Sequence, residues 1–121
     1  MAAAIEKRTF EHPDQMLDMK ERGGIAILRM GSGVTGMHAV FEPGWTWEKH
    51  EKPLLGNPPS CPMAHTGYCI RGTLVVRMVE TCVETRIRAG DFFEIPAGHD
   101  GYVEGDERVE AILFAPPEHQ A

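Results

Sequence analysis

The sequence predicts a single all-β domain in which many short strands close into a barrel or sandwich. Three observations carry this. The chain has 121 residues, which is one domain by length and enough to bury roughly two-thirds of the surface exposed when unfolded. Its 13 Gly and 9 Pro are spread along the chain, breaking it into short segments joined by turns and leaving no room for long helices. The segments between those breaks have strand length and strand-like composition at near-regular spacing.

The elements follow in order. Residues 1–24 form an N-terminal segment, polar and mixed, where His12 to Lys20 suggests one short helical turn ending at Gly23-Gly24. Ile25 to Met30 reads as a strand stopped by Gly31-Ser32-Gly33. Val34 to Phe41 reads as another, with Val34, Gly36, His38 and Val40 on one face and Thr35, Met37, Ala39 and Phe41 on the other. Glu42-Pro43-Gly44 turns the chain, and Trp45 to His50 resumes it as extended backbone. Residues 51–64 hold Pro53, Pro58, Pro59 and Pro62 and form a loop, because proline has no N–H to give a ladder. His65–Arg71, Thr73–Val79, Val83–Arg88, Asp91–Ile95, Gly101–Glu104 and Arg108–Phe114 complete the strands. The domain runs over 25–115, with a tail at 116–121, and neither a repeat nor a low-complexity tract interrupts it.

Composition narrows the function classes. Hydrophobic residues are 42% and charged residues 25%, ordinary for a soluble domain. Twelve Lys+Arg against eighteen Asp+Glu give −6 at pH 7, which argues against nucleic acid as a partner, since that needs a basic face. Met1 to Ile5 runs straight into Glu6, Lys7 and Arg8, so a signal peptide is not expected. No run reaches the roughly 18–20 apolar residues of a membrane span. Cys61, Cys69 and Cys82 are odd in number and do not close a disulfide framework. The expectation is a cytoplasmic protein with free thiols.

Two stretches carry the chemistry. The first is Gly44-x5-His50, then the Pro-rich loop, then His65-x6-Gly72. The second is Gly90-x5-Pro96-x-Gly98-His99. Together they resemble the two motifs of the cupin superfamily, and the resemblance covers nearly all of 25–115. It implies a small cupin-type β-barrel (a jelly roll, or double-stranded β-helix), often a homodimer. It further implies a small-molecule ligand and a divalent transition metal held inside by three His and one Glu. The chain is also similar to a narrower branch of small single-domain cupins with no reaction attached to it. The hallmarks of that branch stand here as Trp45-x-Trp47-x2-His50-x-Lys52-Pro53, Cys61-x3-His65-x-Gly67-Tyr68 and Pro96-x-Gly98-His99-Asp100.

The departures from the motif define the candidate site. His50 falls on the first motif histidine, but Lys52 stands at the second, His65 at the glutamate and Gly101 at the second motif's histidine. What remains is His50, Cys61, His65 and His99. Cys61 and His65 are four apart and share a face of an extended chain. Three imidazoles and a thiolate suit Zn²⁺, and also Fe or Cu, with Mn within the range the resemblance implies. Four protein ligands would close the site, whereas catalysis needs one position open.

Other residues have plainer readings. His12 and His119 are surface residues, His38 is packed, and Cys69 is a small buried hydrophobe. Trp45 and Trp47 belong to the core or an interface. Lys52, Glu94 and Arg71, Arg77, Arg86 and Arg88 are solvated. Asp100 follows His99, but neighbours on a strand point apart, so no dyad forms. There is neither a phosphate-binding Gly loop, nor a Gly-x-Ser-x-Gly elbow, nor a His-Glu-x2-His pair. The expected function is a metal-binding small-molecule cupin, as a metal-dependent enzyme of oxygenase, isomerase or lyase type. Its alternatives are a non-catalytic ligand-binding or sensory barrel and a partner-binding protein.

Overall fold

Nine strands run through residues 3–117, the residues described in the computed structural model of the chain. They are β1 (Gln15–Asp18), β2 (Gly23–Arg29), β3 (Thr35–Phe41), β4 (His65–Arg71), β5 (Thr73–Met78), β6 (Glu84–Arg88), β7 (Phe92–Ile95), β8 (His99–Val103) and β9 (Val109–Ala115). They form two antiparallel sheets, a six-stranded one in the order β1-β2-β3-β9-β4-β7 and a three-stranded one in the order β6-β5-β8. From β4 onward the chain passes repeatedly from one sheet to the other, winding both into one barrel. The all-β barrel expected from the sequence is therefore the observed fold. His119 lies outside the described residues.

Side-chain alternation decides which face fills the interior. On β3, Met37, Ala39 and Phe41 are buried while His38 and Val40 are not. Ile25 and Ile27 on β2 and Ala111 and Leu113 on β9 complete that inner wall. His38 is on the outer face, as a polar residue paired with Glu110 (2.6 Å) and covered by Phe10 at 5.7 Å between ring centroids. The outer face of the same sheet also carries Tyr68, Ile70, Phe92 and Phe114, all exposed.

Two segments differ from expectation. Where a helical turn was expected over 12–20, Gln15–Asp18 is strand β1, paired with β2 from Gln15↔Ile27 to Asp18↔Gly24. An isolated turn must overcome a nucleation cost with few bonds in return, whereas the free edge of β2 offers a ready ladder. Asp14 anchors the junction by accepting from the backbone N–H of Arg29 at 2.7 Å and pairing with Arg8 at 2.8 Å. Lys20–Arg22 then makes a short 3-10 turn. The other segment is Trp45–His50, expected to be extended. Only Thr46 pairs, in one bridge to Tyr102, and Trp47–Glu51 then coils into a π-helical turn capped by the Thr46 hydroxyl, which accepts from Lys49 N at 3.1 Å. A 3-10 turn, Lys52–Leu55, follows.

Glycine is required where β4 hands over to β5. Gly72 has φ +82°, and a Cβ there would lie 2.4 Å from the Arg108 carbonyl oxygen. Gly56, in the Pro-rich loop, has φ +85° but no atom within 4 Å of a Cβ. The pair separates backbone strain from collision. Gly56→Ala is expected to cost about 1 kcal/mol, the price of a left-handed non-glycine residue. Gly72→Ala is expected to cost at least about 3 kcal/mol, because overpacking is added to the same strain. Urea unfolding of the two variants checks this, and equal costs would contradict the packing assigned to Gly72.

Candidate metal centre

Three of the predicted ligands meet at one end of the barrel. The donor atoms of Cys61, His65 and His99 all lie within 4.8 Å of one another. Each arrives on a different piece of backbone. His65 opens β4 in the six-stranded sheet, opposite Ile95 of β7. His99 opens β8 in the three-stranded sheet, opposite Met78. Cys61 follows the Pro-rich loop and is tied to the start of β8, its N–H donating to the His99 carbonyl (2.8 Å) and its carbonyl accepting from Gly98 N–H (2.8 Å).

The donor chemistry fits a divalent ion. Cys61 Sγ is 3.9 Å from His65 Nε2, against about 3.6 Å for sulfur and nitrogen on one tetrahedral zinc. His99 Nδ1 is 2.8 Å from the Pro96 carbonyl, a contact that requires Nδ1–H and so leaves Nε2 as the free base, the arrangement usual in ligating histidines. The His65 and His99 rings meet edge-on at 5.4 Å between centroids. His65 Nδ1 is buried with no partner among the described residues, so none of them orients that ring from behind.

Burial keeps the cluster uncharged. It pushes His65 down to about 4, with His99 adding to the effect, and it lowers His99 against the opposing pull of the Pro96 carbonyl. Burial also raises the Cys61 thiol, and the Glu51 carboxylate raises it further. Two neutral imidazoles beside a thiol present lone pairs without charge repulsion, and a cation would draw the thiol toward thiolate.

His50, the fourth residue expected in the set, is not brought to it. It sits in the π-helical turn with its ring turned back on its own backbone, Nδ1 accepting from Thr46 N–H at 3.0 Å. The residue that faces inward from this turn is Glu51, only 8% exposed. Sequence reasoning passed over it, and strand parity would not have found it: counting by twos from the buried Trp45 and Trp47 also nominates Lys49, which is exposed because the chain coils here. Glu51 makes no hydrogen bond among the described residues, and burial pushes its carboxyl up to about 7. Trp47 Nε1 is likewise buried with no hydrogen-bond partner among the described residues. Lys52 is half-buried outside this group, and Cys69 is buried deeper on β4 beside the Arg71 and Gly72 carbonyls.

The cluster opens on a cavity of about 360 Å³. Its walls are mainly apolar, with Ile25, Ile27, Met37, Phe41, Leu74 and Ile95 among them. Leu55 and Met63 contribute from the Pro-rich loop, and Glu51 shares the same space. That is the size and character of a small-molecule site.

Comparison with known proteins places the fold. No protein-family model matches the sequence, and no curated protein matches it significantly. Solved structures do. KdgF from a Halomonas species superimposes with a TM-score of 0.60 at 18% identity, covering 96% of this chain and 96% of that one. The polyketide cyclase RemF from Streptomyces resistomycificus gives 0.64 at 12% identity, over 98% of this chain and 83% of that one. A cupin-like protein from Thermotoga maritima gives 0.56 at 19% identity, over 78% and 68%. The chain therefore has the cupin fold.

Glu51 and His65 make opposite demands on the metal-free protein. The carboxyl of Glu51 moves from its usual 4.5 to about 7 on folding, so the folded state holds the proton more tightly and stability falls as pH rises from 4.5 to 7. His65 moves from 6.5 to about 4, so the unfolded state holds the proton more tightly and stability falls as pH drops from 6.5 to 4. Removing Glu51 ionisation is expected to unmask the histidine. Glu51→Gln, stripped with chelator, should match wild type near pH 4 and exceed it at pH 8 by an amount on the order of 3 kcal/mol. Urea unfolding at the two pH values reads the difference. A variant less stable than wild type at pH 8 would contradict an unpaired carboxylate at this position.

Proposed function

We propose that this protein is a metal-binding small-molecule cupin in which Cys61, His65 and His99 hold a divalent transition ion, and that it acts as a metal-dependent enzyme on a ligand enclosed by the barrel. The single observation that carries the reading is the convergence of these three donors, within 4.8 Å of one another, at one end of a largely apolar cavity. Three protein ligands are the number found in catalytic sites, because they leave a coordination position for water or substrate. When bound, Zn, Fe or Mn supplies Lewis acidity toward a ligand oxygen.

The chain's own groups have separable roles in this proposal. Cys61 and His99 are held rigidly by their backbone pairing, and His99 is fixed in one tautomer by Pro96. The aliphatic and aromatic walls exclude water, which strengthens every polar interaction inside. Glu51, with its carboxyl near neutrality, is the group suited to accept or return a proton at the enclosed ligand. Trp47 Nε1–H is a donor still to be satisfied, and a ligand oxygen would satisfy it. Oxygenase, isomerase and lyase chemistry all fit this equipment. A homodimer belongs to the same proposal, with the exposed Tyr68, Phe92 and Phe114 face as the surface to be covered.

Elemental analysis of protein purified without added metal is the test. Wild type is expected to carry about one first-row metal ion per chain, and Cys61→Ala, His65→Ala and His99→Ala each to weaken binding by about 10-fold or more. His50→Ala is expected to retain the metal. Substoichiometric metal in wild type, unchanged in the triple variant, would overturn the metalloenzyme and leave a ligand-binding barrel.

A further inference from the structure

The rim of the cavity carries a second polar group, opposite the metal-ligand cluster. Arg29 ends β2 and Thr35 begins β3, and these two are paired in register. Gln15 begins β1 and sits on the same rim. All three line the cavity, since they continue the inward faces of Leu17, Ile25, Ile27 and Met37. His65 begins β4 at this same end of the six-stranded sheet. From Arg29 to His65 the sheet is crossed through β3 and β9, three strand spacings or about 14 Å along the curved sheet. Between these two polar ends the wall is apolar.

Arg29 differs from most arginines of this chain. Arg8, Arg71, Arg77, Arg86 and Arg108 each pair with a carboxylate. The Arg29 guanidinium has no such partner among the described residues, and its one side-chain bond is from Nη2 to Gln15 Oε1 at 2.6 Å. Its backbone is locked, the N–H donating to Asp14 Oδ2 at 2.7 Å and the carbonyl accepting from Arg8 Nη1 at 3.4 Å. Asp100 also lines the cavity, but its carboxylate is held by Arg77 in two bonds of 3.1 and 2.6 Å and does not neutralise the rim. The cavity thus pairs an apolar belt with one exposed cation at its rim, bonded through its side chain to Gln15 and within electrostatic reach of the Asp14 carboxylate.

We infer that the ligand is a small organic carboxylate with an apolar body, its carboxylate clamped by Arg29 at the rim and its other end directed toward Cys61, His65 and His99. Arg29 is then a specificity-determining residue, since a planar guanidinium matches a carboxylate with two parallel bonds that an alcohol cannot reproduce. Gln15 orients the fork. The inference rests on the reading of this cavity as the small-molecule site, and it deepens that reading by naming the substrate class.

Calorimetric titration with octanoate and with 1-octanol tests it, on zinc-loaded and on chelator-stripped protein. Wild type is expected to prefer octanoate at least about tenfold in both forms, the worth of a charge-assisted hydrogen bond. Arg29→Met is expected to abolish the preference while still binding octanol, and Arg29→Lys to keep part of it. The melting temperature of each variant controls for folding. A preference that survives Arg29→Met but disappears on removal of zinc would put the carboxylate on the metal; Arg29 would then lose its role while the metal centre stood. Equal binding of the two probes, or binding of neither, overturns the inference. An Arg29-dependent preference in a protein that holds no metal would sustain the inference while the metalloenzyme failed.

Discussion

The mouth of the barrel depends on one pair of backbone hydrogen bonds, Cys61 N–H to the His99 carbonyl and Gly98 N–H to the Cys61 carbonyl, both 2.8 Å. The prolines before Cys61 prevent that stretch from forming a ladder of its own. Without this pair the thiol would ride on a free loop, and gathering it to the histidines would carry the ordering entropy of the whole segment. With it, thiol and imidazole are adjacent features of one extended sheet. His65 then approaches from the opposite sheet, so the donor cluster straddles the two layers at the point where the barrel is open.

The interior is arranged so that its polar groups stand apart from one another on an otherwise apolar wall. An apolar belt separates a neutral thiol–imidazole cluster from a cationic rim, with Glu51 the carboxyl enclosed beside the cluster. A buried carboxylate without a partner is costly, which is why its proton is retained to near pH 7. Such a group is tolerable in a packed core only as a local weakness. In the function proposed above, the same group would be a proton reservoir beside the three candidate ligand atoms, where charge would develop during a reaction.

The sequence carried the fold more completely than the site, for identifiable reasons. Strands β2 to β9 announce themselves through Gly and Pro punctuation and alternating faces, which are local signals. Gln15–Asp18 does not, because its strand character comes from the edge of β2 and not from its own residues. Cys61, His65 and His99 could be nominated from spacing and parity, since backbone extension is the geometry that those rules assume. His50 was drawn in by its motif position, but the motif presumes an extended chain, and the π-helical turn Trp47–Glu51 rotates the register so that the next residue faces inward. Arg29 was invisible for a different reason: nothing local distinguishes a rim arginine at a strand end from the solvated arginines elsewhere, and only closure of the barrel sets it across from the cluster.

The loop between Glu51 and Cys61 has a consequence for how this protein can vary. Its two ends are anchored independently, one by the π-helical turn docked on β8 through Thr46 and Tyr102, the other by the Cys61 pairing with His99. The span between them is largely exposed, and a Cβ at Gly56 would meet no atom within 4 Å. Residues inserted or deleted there would change the count between Glu51 and the Cys61–His65–His99 cluster while leaving their coordinates alone, at a cost that grows only slowly with loop length. Linear spacing and spatial geometry are decoupled across this segment. The interval from Glu51 to Cys61 can therefore drift away from any fixed-interval signature while the cavity lining itself stays where it is.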